Sequence, residues 1–258
     1  MTTLKTSLEV VLKNPNILLP QKHLLLLSHM RANTSLIGHL LGNHDDINGY
    51  YEMHIGYYSW KSLIRQKIEF FDAHPKHVPS LYLFDKILHS EHYVAPEVLY
   101  RDNVIPLFSL RNPVDTIPSI VKLYSKVNQK HEFFTVAGAI DYYEQRLDVL
   151  LNLARKLAQD FYYVDAEAIK TKTDETLTYL SQVLTLSHPL KPTYRSNVKT
   201  GQGDSGDHSE NLKKGFISTT PSNYQDFNWP HGERDRLSQK YQDVRNEMIK
   251  LSLSSCLK

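Results

Sequence analysis

Two arginines, each at the exit of an apolar run and each followed by hydroxyl side chains, have the most chemistry to offer. In the first stretch Leu24-Leu25-Leu26-Leu27 stops at the polar turn Ser28-His29-Met30-Arg31-Ala32-Asn33-Thr34-Ser35. Apolar residues at helical spacing resume with Leu36, Ile37, Leu40 and Leu41. A strand–turn–helix of this kind aims free backbone N–H groups and partial positive charge at whatever fills the turn. Arg31, Thr34 and Ser35 add a cation and two hydroxyls there, which makes a cradle for phosphate or sulfate. Asn33 stands where phosphate loops often carry glycine, and asparagine tolerates the left-handed conformation. The Gly-x-x-x-x-Gly-Lys-[Ser/Thr] pattern for a nucleoside triphosphate with magnesium is missing, since this turn holds neither glycine nor lysine.

The second stretch repeats the design. Val104-Ile105-Pro106-Leu107-Phe108-Ser109-Leu110 reads as a buried strand and runs into Arg111-Asn112-Pro113-Val114-Asp115. Asn112 suits an N-cap, Pro113 the first helical position and Asp115 the first turn. Arg111 leaves the strand end and Ser119 follows two turns into the helix, so the pair can grip one anion from two sides. Pro118 is expected to kink that helix. A third segment, Arg195-Ser196-Asn197-Val198-Lys199-Thr200-Gly201-Gln202-Gly203-Asp204, is glycine-rich, polar and basic, as a mobile loop offering cations would be.

Arg31-Ala32-Asn33-Thr34-Ser35, then Arg111-Asn112-Pro113-Val114-Asp115 with Ser119, then the loop around Lys199 together resemble the sulfotransferases that use 3′-phosphoadenosine-5′-phosphosulfate (PAPS). The resemblance implies that Arg31, Ala32, Asn33, Thr34 and Ser35 hold the 5′-phosphosulfate, although Ala32 and Asn33 depart from the family's Ser-Gly. It implies that Arg111 and Ser119 hold the 3′-phosphate, and that Lys199, Thr200 and Gly201 belong to a loop closing over the nucleotide. The product would be adenosine 3′,5′-bisphosphate (PAP). The family's Tyr-Glu-Asp-Leu near the adenine is replaced by Ala166-Glu167-Ala168-Ile169, which leaves Tyr163 as the candidate adenine contact.

Sulfuryl transfer gains from alignment and from positive charge at the transferring group, and it needs a base for the acceptor's proton. Arg31 and Lys86 are the expected cations. Glu52, in Gly49-Tyr50-Tyr51-Glu52-Met53-His54, resembles the Glu-x-His pattern of glycan sulfotransferases and some bacterial relatives. His89, after Phe84-Asp85-Lys86-Ile87-Leu88, stands near where cytosolic sulfotransferases place their histidine, but three residues beyond Lys86 instead of two. Glu52 is therefore ranked first as base, ahead of His89 and His54. The acceptor is expected to be a small molecule with a hydroxyl or amine, and Tyr51, Tyr57, Tyr58 and Asp85 are its expected contacts. Aromatic faces beside carboxylates favour a cationic acceptor, a guanidinium alkaloid or other secondary metabolite for instance. A glycan or lipid-linked hydroxyl is an alternative. A phosphoryl-transfer enzyme and an inactive nucleotide-binding protein are readings of other classes. No metal site is expected from the histidine spacing.

The remaining chain must position these groups. In 258 residues, 41% are hydrophobic, enough for one substantial α/β core. Lys+Arg 30 against Asp+Glu 28 leaves a net charge of +2, which argues against nucleic acid as the main partner. A single cysteine, Cys256, suits a reducing compartment. No segment approaches the roughly 20 apolar residues of a membrane span, and the first residues lack a signal-peptide profile, so a cytoplasmic location is expected. Strand-like residues 47–51, 81–87 and 161–165 alternate with helical residues 59–71, 132–159, 174–184 and 234–251. The expected architecture is a P-loop-like three-layer α/β fold, a mostly parallel sheet flanked by helices, as one domain over 1–258. Residues 188–226, rich in proline and glycine, form the expected lid.

Overall fold

A strand covered on both faces can bury four consecutive leucines, and that is what the chain builds at Leu24 to Leu27. The computed structural model describes residues 4–13, 15–196, 210–219 and 223–256. Its strands are β1 (Lys22–Leu27), β2 (Ile47–Asn48), β3 (Tyr82–Ile87), β4 (Val104–Leu110), β5 (Tyr162–Asp165) and β6 (Ser254–Ser255). They form a single sheet in the order β2-β3-β1-β4-β5-β6, and every pairing is parallel. The sheet is thus wholly parallel where the sequence promised mostly parallel.

The helices are α1 (Leu4–Lys13), α2 (Thr34–Gly42), α3 (Trp60–Ala73), α4 (Pro96–Leu99), α5 (Pro113–Val127), α6 (Val136–Leu157), α7 (Ala168–Thr171), α8 (Thr173–Val183) and α9 (Glu233–Leu251). Leu24 and Leu26 of β1 pack with Leu36, Ile37 and Leu40 of α2 and Leu177 and Leu180 of α8. Leu25 and Leu27 point the other way, into the larger core with Ile117 and Ile120 of α5, Leu147 and Leu150 of α6 and Leu237 of α9. The period of two along one strand therefore splits the core into two layers.

The sequence boundaries hold with local exceptions. β2 is only two residues long because Gly49, at φ 87°, turns the chain out of the strand. The helical stretch expected over 132–159 divides into a 3-10 turn, Glu132–Phe134, and α6, whose first turn is capped by the Thr135 hydroxyl accepting from the Gly138 N–H at 3.0 Å. α5 runs unbroken through Pro118, which costs the helix one hydrogen bond without ending it. α1, α4, α7 and β6 were not expected. Within the expected lid, a bridge pairs Thr193 with Phe216 and a 3-10 turn spans Glu210–Lys214. Lys199, Thr200 and Gly201 lie outside the described residues. Among the described residues no helix is long and apolar enough to cross a membrane.

The chain turns one way from β1 to β3 and the other way to β4, so the carboxyl ends of β1, β3 and β4 frame a crevice at the point where strand order reverses. One close approach fixes the near wall. A Cβ on Gly38 of α2 would lie 2.3 Å from the Tyr50 carbonyl oxygen, so only glycine lets α2 press on the segment that leads to Glu52.

Candidate active site

At those strand ends a cleft of about 910 Å³ opens, a volume suited to a nucleotide-sized ligand. Its wall at β1 is the turn before α2. Arg31 (φ 62°) and Asn33 (φ 54°) both adopt the left-handed conformation, which the asparagine had signalled and the arginine had not. The Asn33 amide donates to the Ala166 carbonyl at 2.7 Å and ties the turn to the end of β5. Thr34 and Ser35 open α2 at the cleft, while the Ala32 side chain is buried beneath the turn.

The second arginine comes to the same place. Arg31 Nε donates to Ser119 Oγ at 2.9 Å, and Arg111 donates to the Arg31 carbonyl at 2.8 Å. The two arginine-bearing stretches are thus one structure. Asn112 caps α5 by accepting from the Asp115 N–H at 2.9 Å. The Arg111 guanidinium has Asp115 and Glu167 at 3.6 and 3.5 Å, and its Nε is buried with no hydrogen-bond partner among the described residues. Ser119, Lys122, Leu123 and Lys126 share one face of α5 and extend the cationic wall. Lys170, beyond β5, adds a further cation.

On the β3 side Lys86 is buried and donates to Ser35 Oγ at 3.2 Å. Glu52 faces the same cleft at 6% exposure, and its Oε1 has no hydrogen-bond partner among the described residues. Burial raises its pKa, and the positive charges of Lys86, His54 and Arg146 act against that rise. His54 and His89 also line the cleft. Burial pushes His89 down to about 4, so it is neutral at pH 7. All three candidate bases and both cations therefore meet in one cavity.

The expected acceptor contacts do not. Tyr57 is fully buried, donating to Asp85 Oδ2 at 2.7 Å, and the Asp85 carboxylate also accepts the Met53 N–H at 2.9 Å. Burial raises Asp85 to about 7. Tyr51 packs into a small core with Phe70, Phe71 and Leu83, and Tyr58 is 65% exposed on the outer surface. None of the four lines the cleft. The physical reason is that an extended segment alternates its side chains, so Tyr57 turns into the protein and Tyr58 out of it. Tyr163 is also displaced from its expected role: it is buried against α9 and donates to Asp165 at 2.7 Å, away from the cleft.

Other residues take the vacated wall. Tyr124, His131 and Phe133 form an aromatic cluster, with His131 4.6 Å from Tyr124 and 4.4 Å from Phe133 between ring centroids. Glu91 and Glu132 stand on the same wall. Behind it, α6 holds the strand ends in place. Arg146, 2% exposed, donates to the Ser28 carbonyl at 2.8 Å and the Ile87 carbonyl at 2.7 Å. Tyr142 accepts from the Met30 N–H and donates to the Leu88 carbonyl, both at 2.8 Å, while Tyr143 donates to the Arg111 carbonyl at 2.7 Å. The one sequence signal for this clamp is a lone arginine beside the apolar stripe Tyr143, Leu147 and Leu150.

No family model matches the chain, and no curated protein matches it in sequence. Solved structures match its fold. A sulfotransferase domain from the curacin biosynthetic pathway superposes with a TM-score of 0.58 at 16% identity, covering 87% of this chain and 98% of that one. The mouse sulfotransferase SULT7A1, complexed with PAP, superposes with a TM-score of 0.51 at 13% identity, covering 90% of this chain and 86% of the other. At such identities the likeness is one of fold.

Proposed function

We propose that this protein is an enzyme that transfers a sulfuryl group from PAPS to a hydroxyl or amine of a small-molecule acceptor. The observation that carries the reading is the Arg31–Ser119 hydrogen bond at 2.9 Å. It joins two anion-binding stretches far apart in the chain into one cationic wall, with a buried carboxylate and Lys86 in the same cleft. The two solved structures compared above are sulfotransferases, and one was solved with PAP.

PAPS, when bound, supplies a sulfuryl group activated on its 5′-phosphate, with PAP as the leaving group. The residues at hand suit it: two left-handed residues and a helix N-terminus at the first turn, and at the second a buried Arg111 Nε that has Glu167 at 3.5 Å but no hydrogen-bond partner among the described residues. In this reading the turn of Arg31 to Ser35 binds the 5′ end, and Arg111 and Ser119 bind the 3′-phosphate. Glu52 accepts the acceptor's proton as the acceptor oxygen or nitrogen bonds to sulfur and the sulfur–oxygen bond to PAP breaks. Arg31 and Lys86 stabilise the charge that collects on the departing oxygen. Glu52 is preferred to His89 as base because its buried Oε1 has no hydrogen-bond partner among the described residues, whereas His89 lies beside the Arg146 charge. The acceptor end combines Tyr124, His131 and Phe133 with Glu91 and Glu132, aromatic faces beside carboxylates. That set favours a cationic acceptor, and it replaces Tyr51, Tyr57, Tyr58 and Asp85 as the ground for that preference. A cytoplasmic setting and a lid within 188–226 belong to the same proposal.

The test is thermal unfolding with PAP, with ATP and magnesium, and with neither. Ligand at 100 times its dissociation constant adds about 2.7 kcal/mol to the folded state. PAP alone should raise the melting temperature, and turnover of PAPS with a panel of amines and alcohols should follow. A shift only with ATP and magnesium, or none with PAP, would overturn the assignment.

A further inference from the structure

Glu52 has two histidine neighbours. His54 and His92 come from different loops, one after β2 and one after β3. A short parallel bridge between Tyr57 and Val94 zips these loops together, with the Tyr57 N–H donating to the Tyr93 carbonyl at 2.7 Å and the Ala95 N–H to the Tyr57 carbonyl at 2.8 Å. His54 sits in the left-handed conformation at φ 57°. Its Nδ1 shares a hydrogen bond with His92 Nε2 at 3.3 Å, which an ion would replace, and lies 3.9 Å from Glu52 Oε1; one ligand atom from each of the three residues falls within 4.8 Å of the others. A tetrahedral ion with bonds of 2.0–2.1 Å separates its ligand atoms by about 3.3 Å. The two imidazole nitrogens already stand at that spacing. The Glu52 Oε1 lone pairs are buried and meet no donor among the described residues. Glu91 Oε1, 3.7 Å from His92 Nε2, is a further carboxylate within reach.

We propose that Glu52, His54 and His92 form a binding site for a divalent transition-metal ion of the zinc class, and that its occupation inhibits the transferase. The donor set selects the class of ion. Two imidazoles and one carboxylate suit Zn²⁺, Co²⁺, Ni²⁺ or Cu²⁺, whereas Mg²⁺ and Ca²⁺ prefer all-oxygen shells. The positive charges of Lys86 and Arg146 act on Glu52 and disfavour an ion held by charge alone, which leaves nitrogen coordination as the main source of affinity. The inhibitory part rests on Glu52 being the base of the proposed function. A carboxylate bound to a metal ion cannot take the acceptor's proton.

The site is tested on the full chain, stripped of metal with a chelator and titrated with Co²⁺ while its visible spectrum and equilibrium dialysis report binding. One Co²⁺ per chain is expected at this site. His92→Ala should weaken it by more than about tenfold, since changes even outside the ligand set cost that much. His188→Ala, at the separate His44–His188 stack, should not change it. His54→Ala is the second variant, and an unchanged melting temperature without metal shows that each variant folds. Zn²⁺ should suppress PAPS turnover in the unsubstituted chain and do so far less in His92→Ala. Absence of Co²⁺ binding, or binding that both histidine variants leave intact, overturns the site. Binding that His92→Ala abolishes, together with turnover unmoved by Zn²⁺, keeps the site and overturns the inhibition. The Co²⁺ spectrum needs no nucleotide, so a protein that binds the ion but shows no melting-temperature shift with PAP refutes the proposed function and leaves the site standing.

Discussion

Replacing Arg111 by methionine separates a phosphate-binding arginine from a merely structural one. The guanidinium lies at the cleft with Asp115 and Glu167 at 3.6 and 3.5 Å, and its Nε has no hydrogen-bond partner among the described residues. If that N–H is kept for the 3′-phosphate of PAP, it makes a charge-assisted hydrogen bond of about 1.5–3 kcal/mol. At 1.36 kcal/mol per tenfold, the loss is roughly 10- to 150-fold in affinity. Arg111→Met also deprives the Arg31 carbonyl of its 2.8 Å donor, which disturbs the first turn as well. That damage is shared by any nucleotide occupying the turn. Calorimetric titration of both proteins with PAP and with adenosine 5′-phosphate, at one ionic strength, cancels it. The preference for PAP over adenosine 5′-phosphate should fall by the factor above, while adenosine 5′-phosphate changes much less. A preference that stays within about twofold, the ordinary limit of additivity, would show that Arg111 does not touch the 3′-phosphate.

Glu52→Gln should lower PAPS turnover by about 10²- to 10⁴-fold, the usual contribution of a general base, and leave PAP affinity unchanged; near-normal turnover would move the base to His89. Acid should destabilise the fold, because burial holds His23 at about 4, His29 at about 3 and His89 at about 4. These depressed values mean that stability present above pH 6.5 is lost as pH falls toward them. Asp85, raised to about 7, acts in the opposite sense, stabilising at low pH and losing that contribution as pH rises to 7. Burial raises Glu52 and Glu167 in the same sense as Asp85, and lowers His92 in the same sense as the other histidines. The three histidines held at about 3 to 4 take up their protons well below pH 5 in the folded state, which predicts a lower urea midpoint at pH 5 than at pH 7.5; an equal or higher midpoint would contradict these assignments. Gly38→Ala puts a Cβ 2.3 Å from the Tyr50 carbonyl oxygen. It should cost about 1–3 kcal/mol as overpacking does, and reduce turnover further by shifting the segment that carries Glu52. Denaturant midpoints and single-turnover rates on the same preparation check both effects.

The strand–turn–helix geometry at Arg31 and at Arg111 was legible because everything that makes it is local: the apolar run, the Asn112 cap, Pro113 and the left-handed tolerance of Asn33 each act within a few residues. The aromatic segment around Glu52 was misread for the opposite reason. Five aromatic residues between Tyr50 and Trp60 show that large rings are present but not which side of the chain they take. The alternation that sends Tyr57 inward and Tyr58 outward is set by pairing with Val94 and by Asp85, both distant in sequence. The His54–His92 encounter depends on that same pairing, and no ligand spacing along the chain announces it.

Arg146 carries the argument furthest. Burying a guanidinium is costly unless its donors are satisfied, and here the partners are the carbonyls of Ser28 and Ile87, at the exits of β1 and β3. With Tyr142 on Met30 and Leu88, and Tyr143 on Arg111, one face of α6 fixes where three strands end. The turn that holds Arg31 begins at one of those ends and the turn that holds Arg111 at another. The spacing between the two arginines is therefore set by a helix that does not itself supply either of them. A site read from its loops alone misses the residues that give those loops their distance from each other.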